Sequence, residues 1–309
     1  MKNARRVRRP AEARRQSVQS RTRLTPHEPR GTHGSPADGA IGVFDSGVGG
    51  LTVLHELMRA LPRERLIYLG DTGRYPYGTK SAETVRNYSV ENTEFLLEKG
   101  IKLLVVACNT ASSVALDVMA ERAAVPIIGV IEPGAAEAAG ATRNKRIGVI
   151  GTEATISSGA YTRALRRLAP DVEIYTRACP LFVPLAEEGW IDNDIARHAA
   201  QLYLGSLRQS GIDTLVLGCT HYPLLRPVIA EVMGPKVKLV DSAASTARAT
   251  VELLRRKRLA CRGGEGSVSF FVTDVPDRFI KVGQRFLGEQ VQSAVRIERW
   301  AAAQRGVTT

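Results

Sequence analysis

Ile41-Gly42-Val43-Phe44-Asp45-Ser46-Gly47 returns further along the chain as Ile147-Gly148-Val149-Ile150-Gly151-Thr152-Glu153. Leu104-Val105-Val106-Ala107-Cys108 returns as Leu215-Val216-Leu217-Gly218-Cys219, in the same order and at nearly the same spacing. Each is a short aliphatic run closed by a polar or small residue, the form of a parallel strand buried on both faces. One such echo arises easily by chance. Two landmarks recurring in order predict two α/β units of like topology, each ending one strand in a cysteine. Ligands of open α/β sheets bind beyond the carboxyl ends of the strands. Two units facing one another therefore set Cys108 and Cys219 on opposite walls of one cleft.

Outward from these runs, residues 66–69, 127–130, 172–175 and 237–240 read as further strands. Residues 51–61, 82–99 and 194–209 carry helical spacing and helix formers. The alternation predicts an α/β fold: two similar doubly wound α/β domains with mostly parallel sheets facing across a central cleft. Residues 39–133 plus 242–300 form the first domain and 134–241 the second, with 1–38 as a disordered basic tail. Residues 267–273 and 293–300 alternate like half-exposed strands, which predicts an added edge hairpin or a mixed sheet at the end of the chain.

Composition narrows the class. The 309 residues are 44% hydrophobic and 24% charged, the profile of a soluble globular chain of about two domains. No window reaches the roughly 18 apolar residues of a membrane helix. Four cysteines in this length make no disulfide framework, and residues 1–40 lack the apolar core of a secretory signal. The expectation is a cytoplasmic protein without a membrane partner. Most of the net charge of +12 lies in residues 1–30, where ten Lys/Arg face two Glu. Such an Arg-, Pro- and Ser-rich stretch cannot bury enough surface to order itself. A solvated extension outranks a nucleic-acid arm there, and an organelle transit peptide ranks third.

Cys108 precedes Asn109-Thr110, and Cys219 precedes Thr220-His221. A thiol between a strand and the next helix meets the helix dipole, which favours the thiolate, and His221 could hold or pass a proton. A lone buried cysteine is usually an inert hydrophobe; two at matched strand ends favour chemistry. Cys179 and Cys261 lack that setting. The Cys219-Thr220-His221 spacing does not suit zinc, and a Cys/His protease would leave the second thiol unexplained. Asp45-Ser46-Gly47-Val48-Gly49-Gly50 lacks the third glycine of a dinucleotide fingerprint, because residue 52 is Thr52. It remains either an anion-friendly turn, with Asp45 orienting an ammonium or assisting a thiol, or simply a capped chain reversal. The loop 71–79 offers Tyr77, Gly78 and Thr79 as polar ligand contacts. Glu187-Glu188 reads by default as a solvated helix end.

Taken together, residues 41–53, Gly70-Asp71-Thr72-Gly73-Arg74-Tyr75-Pro76-Tyr77-Gly78, Val106-Ala107-Cys108-Asn109-Thr110, Cys179-Pro180-Leu181-Phe182-Val183-Pro184-Leu185 and Gly218-Cys219-Thr220-His221-Tyr222-Pro223-Leu224 resemble the bacterial glutamate racemases. These belong to the cofactor-independent aspartate/glutamate racemase superfamily. The likeness runs in order from about residue 41 to about 299 and leaves 1–38 outside. It implies interconversion of L- and D-glutamate without a cofactor or metal, supplying D-glutamate for peptidoglycan. By the same resemblance Cys108 and Cys219 are the opposed acid and base. Asp45 and His221 assist them, and Glu187 lies beside His221. Asp45, Ser46, Tyr77, Gly78, Asn109, Thr110, Thr220 and His221 hold the substrate. A homodimer is the implied assembly. Aspartate racemase or another superfamily member is the runner-up. A nucleic-acid-associated regulator acting through the tail, and a D-glutamate-binding protein without turnover, are the readings from other classes.

Overall fold

The computed structural model describes residues 36–297. Its strands are β1 (Ala40–Asp45), β2 (Arg65–Gly70), β3 (Ile101–Val106), β4 (Ile127–Gly129), β5 (Arg146–Gly151), β6 (Glu173–Ala178), β7 (Thr214–Gly218), β8 (Lys238–Asp241), β9 (Ser267–Val272) and β10 (Val295–Arg296). They form a six-stranded sheet, β10-β9-β2-β1-β3-β4, and a four-stranded sheet, β6-β5-β7-β8. The two therefore share the order 2-1-3-4, and the echoed runs occupy matching places: β1 with β5, and β3 with β7. The duplication legible in the chain is a duplication of topology.

Continuous apolar runs follow from burial on both faces. In β3, Leu103 and Val105 enter one core with Val43 of β1, while Leu104 and Val106 enter another with Phe44. In β7, Leu215 and Leu217 face one core of the second sheet, and Val216 faces the other. Side chains alternate along a strand, so a sheet covered by helices on both sides needs apolar residues at every position. Ser81 and Asn193 cap the helices Ala82–Glu98 and Asp194–Gln209 by accepting backbone N–H groups.

The end of the chain corrects the expected hairpin or mixed sheet. β9 pairs parallel with β2, and β10 pairs parallel with β9, so every pairing among the described residues is parallel. The helix Pro276–Leu287 lies between β9 and β10 and carries the chain back across the sheet. A helical crossover brings the next strand in parallel, whereas a hairpin needs a short turn. The alternation in β9 is real, with Val268, Phe270 and Val272 buried, but it reports a buried face and not a strand direction.

The expected tail falls largely on residues 1–35, outside the described residues, together with its nucleic-acid reading. Residues 298–300 of the first expected domain lie outside them too. Pro36–Asp38 form a short 3-10 turn, and buried Lys102 donates to Ala37 O at 2.7 Å while pairing with buried Glu64 at 2.6 Å. The expected seams at 133/134 and 241/242 fall inside the helix Ile131–Ala141 and at the start of the helix Ser242–Lys257, which pack on one another. Among the described residues no helix is long and apolar enough to cross a membrane.

Candidate active site

In each sheet the chain leaves the inner strand in opposite directions, β1 between β2 and β3, and β5 between β6 and β7. The crevice above that reversal is where helix N-termini and loops diverge and leave room for a ligand. Cys108 follows β3 and caps the short helix Asn109–Val114; its sulfur accepts the Ala111 N–H at 3.5 Å, and its thiol donates to Ser46 Oγ at 3.5 Å. Cys219 follows β7, with its sulfur 3.9 Å from His221 Nδ1. Both thiols line one cavity of about 310 Å³. Ser46, Tyr77, Gly78, Asn109, Thr110, Thr220, His221 and Glu187 line it as well. Asp45 does not reach the lining: it is fully buried behind Ser46, where its Oδ2 accepts the Gly47 N–H at 2.9 Å.

The two walls differ electrostatically. On the first, burial and then the charge of Asp45 push the Cys108 thiol up to about 12, against the opposing pull of the Ala111 and Ser46 hydrogen bonds. Burial likewise raises the Asp45 carboxyl above its ordinary value, with the His221 charge and the Gly47 N–H opposing. On the second wall, burial alone would lower His221; its bonds to Cys219 and Glu187 outweigh that and lift it to about 10. Its Nε2 lies 3.1 Å from Glu187 Oε1. Burial alone would raise Glu187, and the bonds to His221 and Tyr75 leave it lowered instead. At neutral pH the second wall thus carries an imidazolium between a carboxylate and a sulfur, while the first carries a neutral thiol.

A scan against protein families matches residues 41–250 to the Asp/Glu/Hydantoin racemase model. The glutamate racemase of Geobacter metallireducens is 59% identical over 259 residues, covering 84% of this chain and 96% of that protein. The crystal structure of a Bacillus anthracis glutamate racemase isoform superposes with a TM-score of 0.81 at 40% identity, covering 84% of this chain and 97% of that one. That of the Francisella tularensis glutamate racemase in complex with D-glutamate gives 0.80 at 37% identity, covering 84% and 98%. The chain belongs to the glutamate racemase family. It is accordingly an amino-acid racemase, an isomerase, built as the two α/β units that its repeats predict.

Around the cavity of this glutamate racemase stand further residues, of which Thr152 and Tyr75 line it and the others pack against residues that do. Thr152 sits at the end of β5, its Oγ1 3.0 Å from Thr110 Oγ1, and Thr155 Oγ1 lies 3.2 Å from the same hydroxyl. Tyr161 donates to Asn109 Oδ1 at 2.8 Å, leaving Asn109 Nδ2 buried and without a hydrogen-bond partner. Tyr75 and Phe286 pack on the His221 ring. Tyr77 offers the cavity its backbone and ring, because its hydroxyl is engaged with Asp71 and Asn92. Gly49 and Gly50 have a reason other than anion binding: a Cβ on Gly49 would stand 2.3 Å from Thr220 Oγ1 and 2.4 Å from His221 Nδ1, and one on Gly50 would meet Asp45. Thr152 alone left a signal in the chain, since it is the counterpart of Ser46 in the repeat.

Proposed function

We propose that this racemase interconverts L- and D-glutamate by a two-thiol acid–base mechanism. The observation that supports it is a single cavity lined by Cys108 from the first sheet and Cys219 from the second. One sulfur, as thiolate, takes the Cα proton and becomes a thiol. The electron pair passes into the carboxylate, giving a planar centre, and the opposite thiol delivers its proton to the other face and becomes the thiolate. The product leaves the two sulfurs in exchanged states, ready for the reverse direction.

The surrounding groups suit the charges involved. The His221 imidazolium stands where it would hold a thiolate on Cys219. The thiol of Cys108 is raised enough to rest protonated and act as the first acid. Asn109 Nδ2, a buried donor with no partner, is positioned to meet a substrate carboxylate, with Ser46, Thr110, Thr220 and the backbone at Tyr77-Gly78 completing the grip. Donors aimed at developing carboxylate charge in a dry site lower the barrier without a cofactor electron sink. A cytoplasmic homodimer supplying D-glutamate for peptidoglycan belongs to the same proposal.

The experiment is incubation with L-glutamate in deuterated water without added cofactor. Optical rotation should decay while deuterium enters at Cα. Rotation that persists, or exchange with L-aspartate in place of glutamate, overturns the proposal.

A further inference from the structure

Tyr75 stands in a wall shared by the reacting cavity and by a second cavity of about 220 Å³, bounded also by Thr72, Asp274, Arg278 and Phe279. Glu187 lies in that same wall. The Tyr75 ring lies 6.2 Å from the His221 imidazole with the planes 30° apart, and Phe286 meets the imidazole edge-on at 5.6 Å. The ring also rests on Gly47, where an added Cβ would come within 3.1 Å of it. Its hydroxyl stands beside the Glu187 carboxylate and favours that group's charged form. On the second-cavity side, Arg278 Nη2 is 3.9 Å from Glu187 Oε2, with its own side chain 71% exposed. Glu187 is thus placed between an imidazole inside and a guanidinium outside.

We infer that Tyr75 is a positioning residue for the Cys219 half of the reaction. Its hydroxyl and ring hold Glu187 on His221, and so aim the imidazole at Cys219 Sγ, where the carboxylate could otherwise turn toward Arg278. Arg278 is largely exposed and reaches the carboxylate only at 3.9 Å, so it holds Glu187 weakly, and the half-buried Tyr75 decides which way the carboxylate faces. The loop that carries Tyr75 is anchored from behind: Asp71 accepts from Asn92 Nδ2 at 3.0 Å, from Thr273 Oγ1 at 2.9 Å and from Arg74 Nε at 2.8 Å. Removing the Tyr75 hydroxyl leaves those bonds in place. This inference rests on the proposed racemisation.

The test is a kinetic comparison of wild type, Tyr75→Phe, Glu187→Gln and the double variant, in both directions and across pH. Tyr75→Phe should lower kcat about tenfold, the worth of one hydrogen bond to a charged group, with KM nearly unchanged. L- and D-glutamate are equal in free energy, so kcat/KM falls by one factor in both directions. Glu187 loses a donor to its charged form, so the acid limb of the kcat/KM profile should move up by roughly half a pH unit. The double variant should be no slower than Glu187→Gln alone, because both changes break the same link. Full activity in Tyr75→Phe, an unmoved acid limb, or multiplied losses in the double variant would overturn the inference. If Tyr75→Phe does not fold, Tyr75→Leu must show the same limb shift or the inference fails. Wild-type enzyme that exchanges no Cα deuterium would instead overturn the racemase proposal itself.

Discussion

A thiol raised to about 12 and an imidazole raised to about 10 face one cavity, and each depends on a neighbour more than on its own nature. Serine in place of either sulfur keeps the shape and removes the acidity that proton transfer needs. Cys108→Ser and Cys219→Ser should each lower kcat by about a thousandfold, while D-glutamate still raises the thermal unfolding temperature of both. A variant with wild-type turnover would remove its sulfur from the mechanism. His221 makes a second expectation concrete. The fold keeps its proton up to about 10, whereas the unfolded chain releases it near the ordinary 6.5. Between those values the unfolded state binds fewer protons, so this contribution to stability is full below 6.5 and is lost as pH rises toward 10. The denaturation midpoint should fall across that window, and His221→Asn should flatten the fall.

At the scale of elements, the turn from β1 into the helix Leu51–Ala60 is tight because it must pass beside the second sheet's loop. Gly49 and Gly50 supply space there and no special backbone, since neither has positive φ. Gly49→Ala would force a methyl group onto Thr220 and His221. It should cost about 1–3 kcal/mol by overpacking and depress kcat as His221 is displaced. Gly140→Ala is the matched control: it lies in the helix Ile131–Ala141, and its Cβ would meet nothing within 4 Å. That change should leave kcat alone and stabilise by about 0.5–1 kcal/mol. Calorimetry on the pair checks both signs. Elements also explain the departure from the expected hairpin: residues 267–273 and 293–300 alternate as a hairpin's strands would, and the intervening helix Pro276–Leu287 decides the direction of β9 and β10.

Over the whole molecule, the two sheets meet around the cavity through polar contacts. Thr52 Oγ1 donates to Thr220 O at 3.3 Å, Thr110 meets Thr152, and Tyr161 donates to Asn109. Beside them Tyr75 and Phe286 pack on the His221 ring, and the helices Ile131–Ala141 and Ser242–Lys257 pack on one another, so the motion of least cost parts the polar cavity side while those helices stay packed. If substrate entry and release require it, product release limits turnover. Added sucrose should then slow kcat in proportion to viscosity, and deuterium at Cα should change kcat little. A full isotope effect with no viscosity response would place the limit in proton transfer.

Strands, parallel class and duplication were legible because they are written in local periodicity. A strand covered on both faces must be apolar throughout, and two copies of one topology leave two copies of its landmarks. Cys108 and Cys219 stood out for that reason, each closing an apolar strand at an equivalent place. Tyr75, Thr155, Tyr161 and Phe286 carried no such mark: an aromatic or hydroxyl residue in a loop or helix looks the same whether it meets water or an imidazole. Their roles, the clearance required at Gly49 and the direction of the last strands depend on residues tens to hundreds of positions apart. Local sequence specifies each unit's own packing, and only the docking of one unit on the other decides which side chains share a cavity.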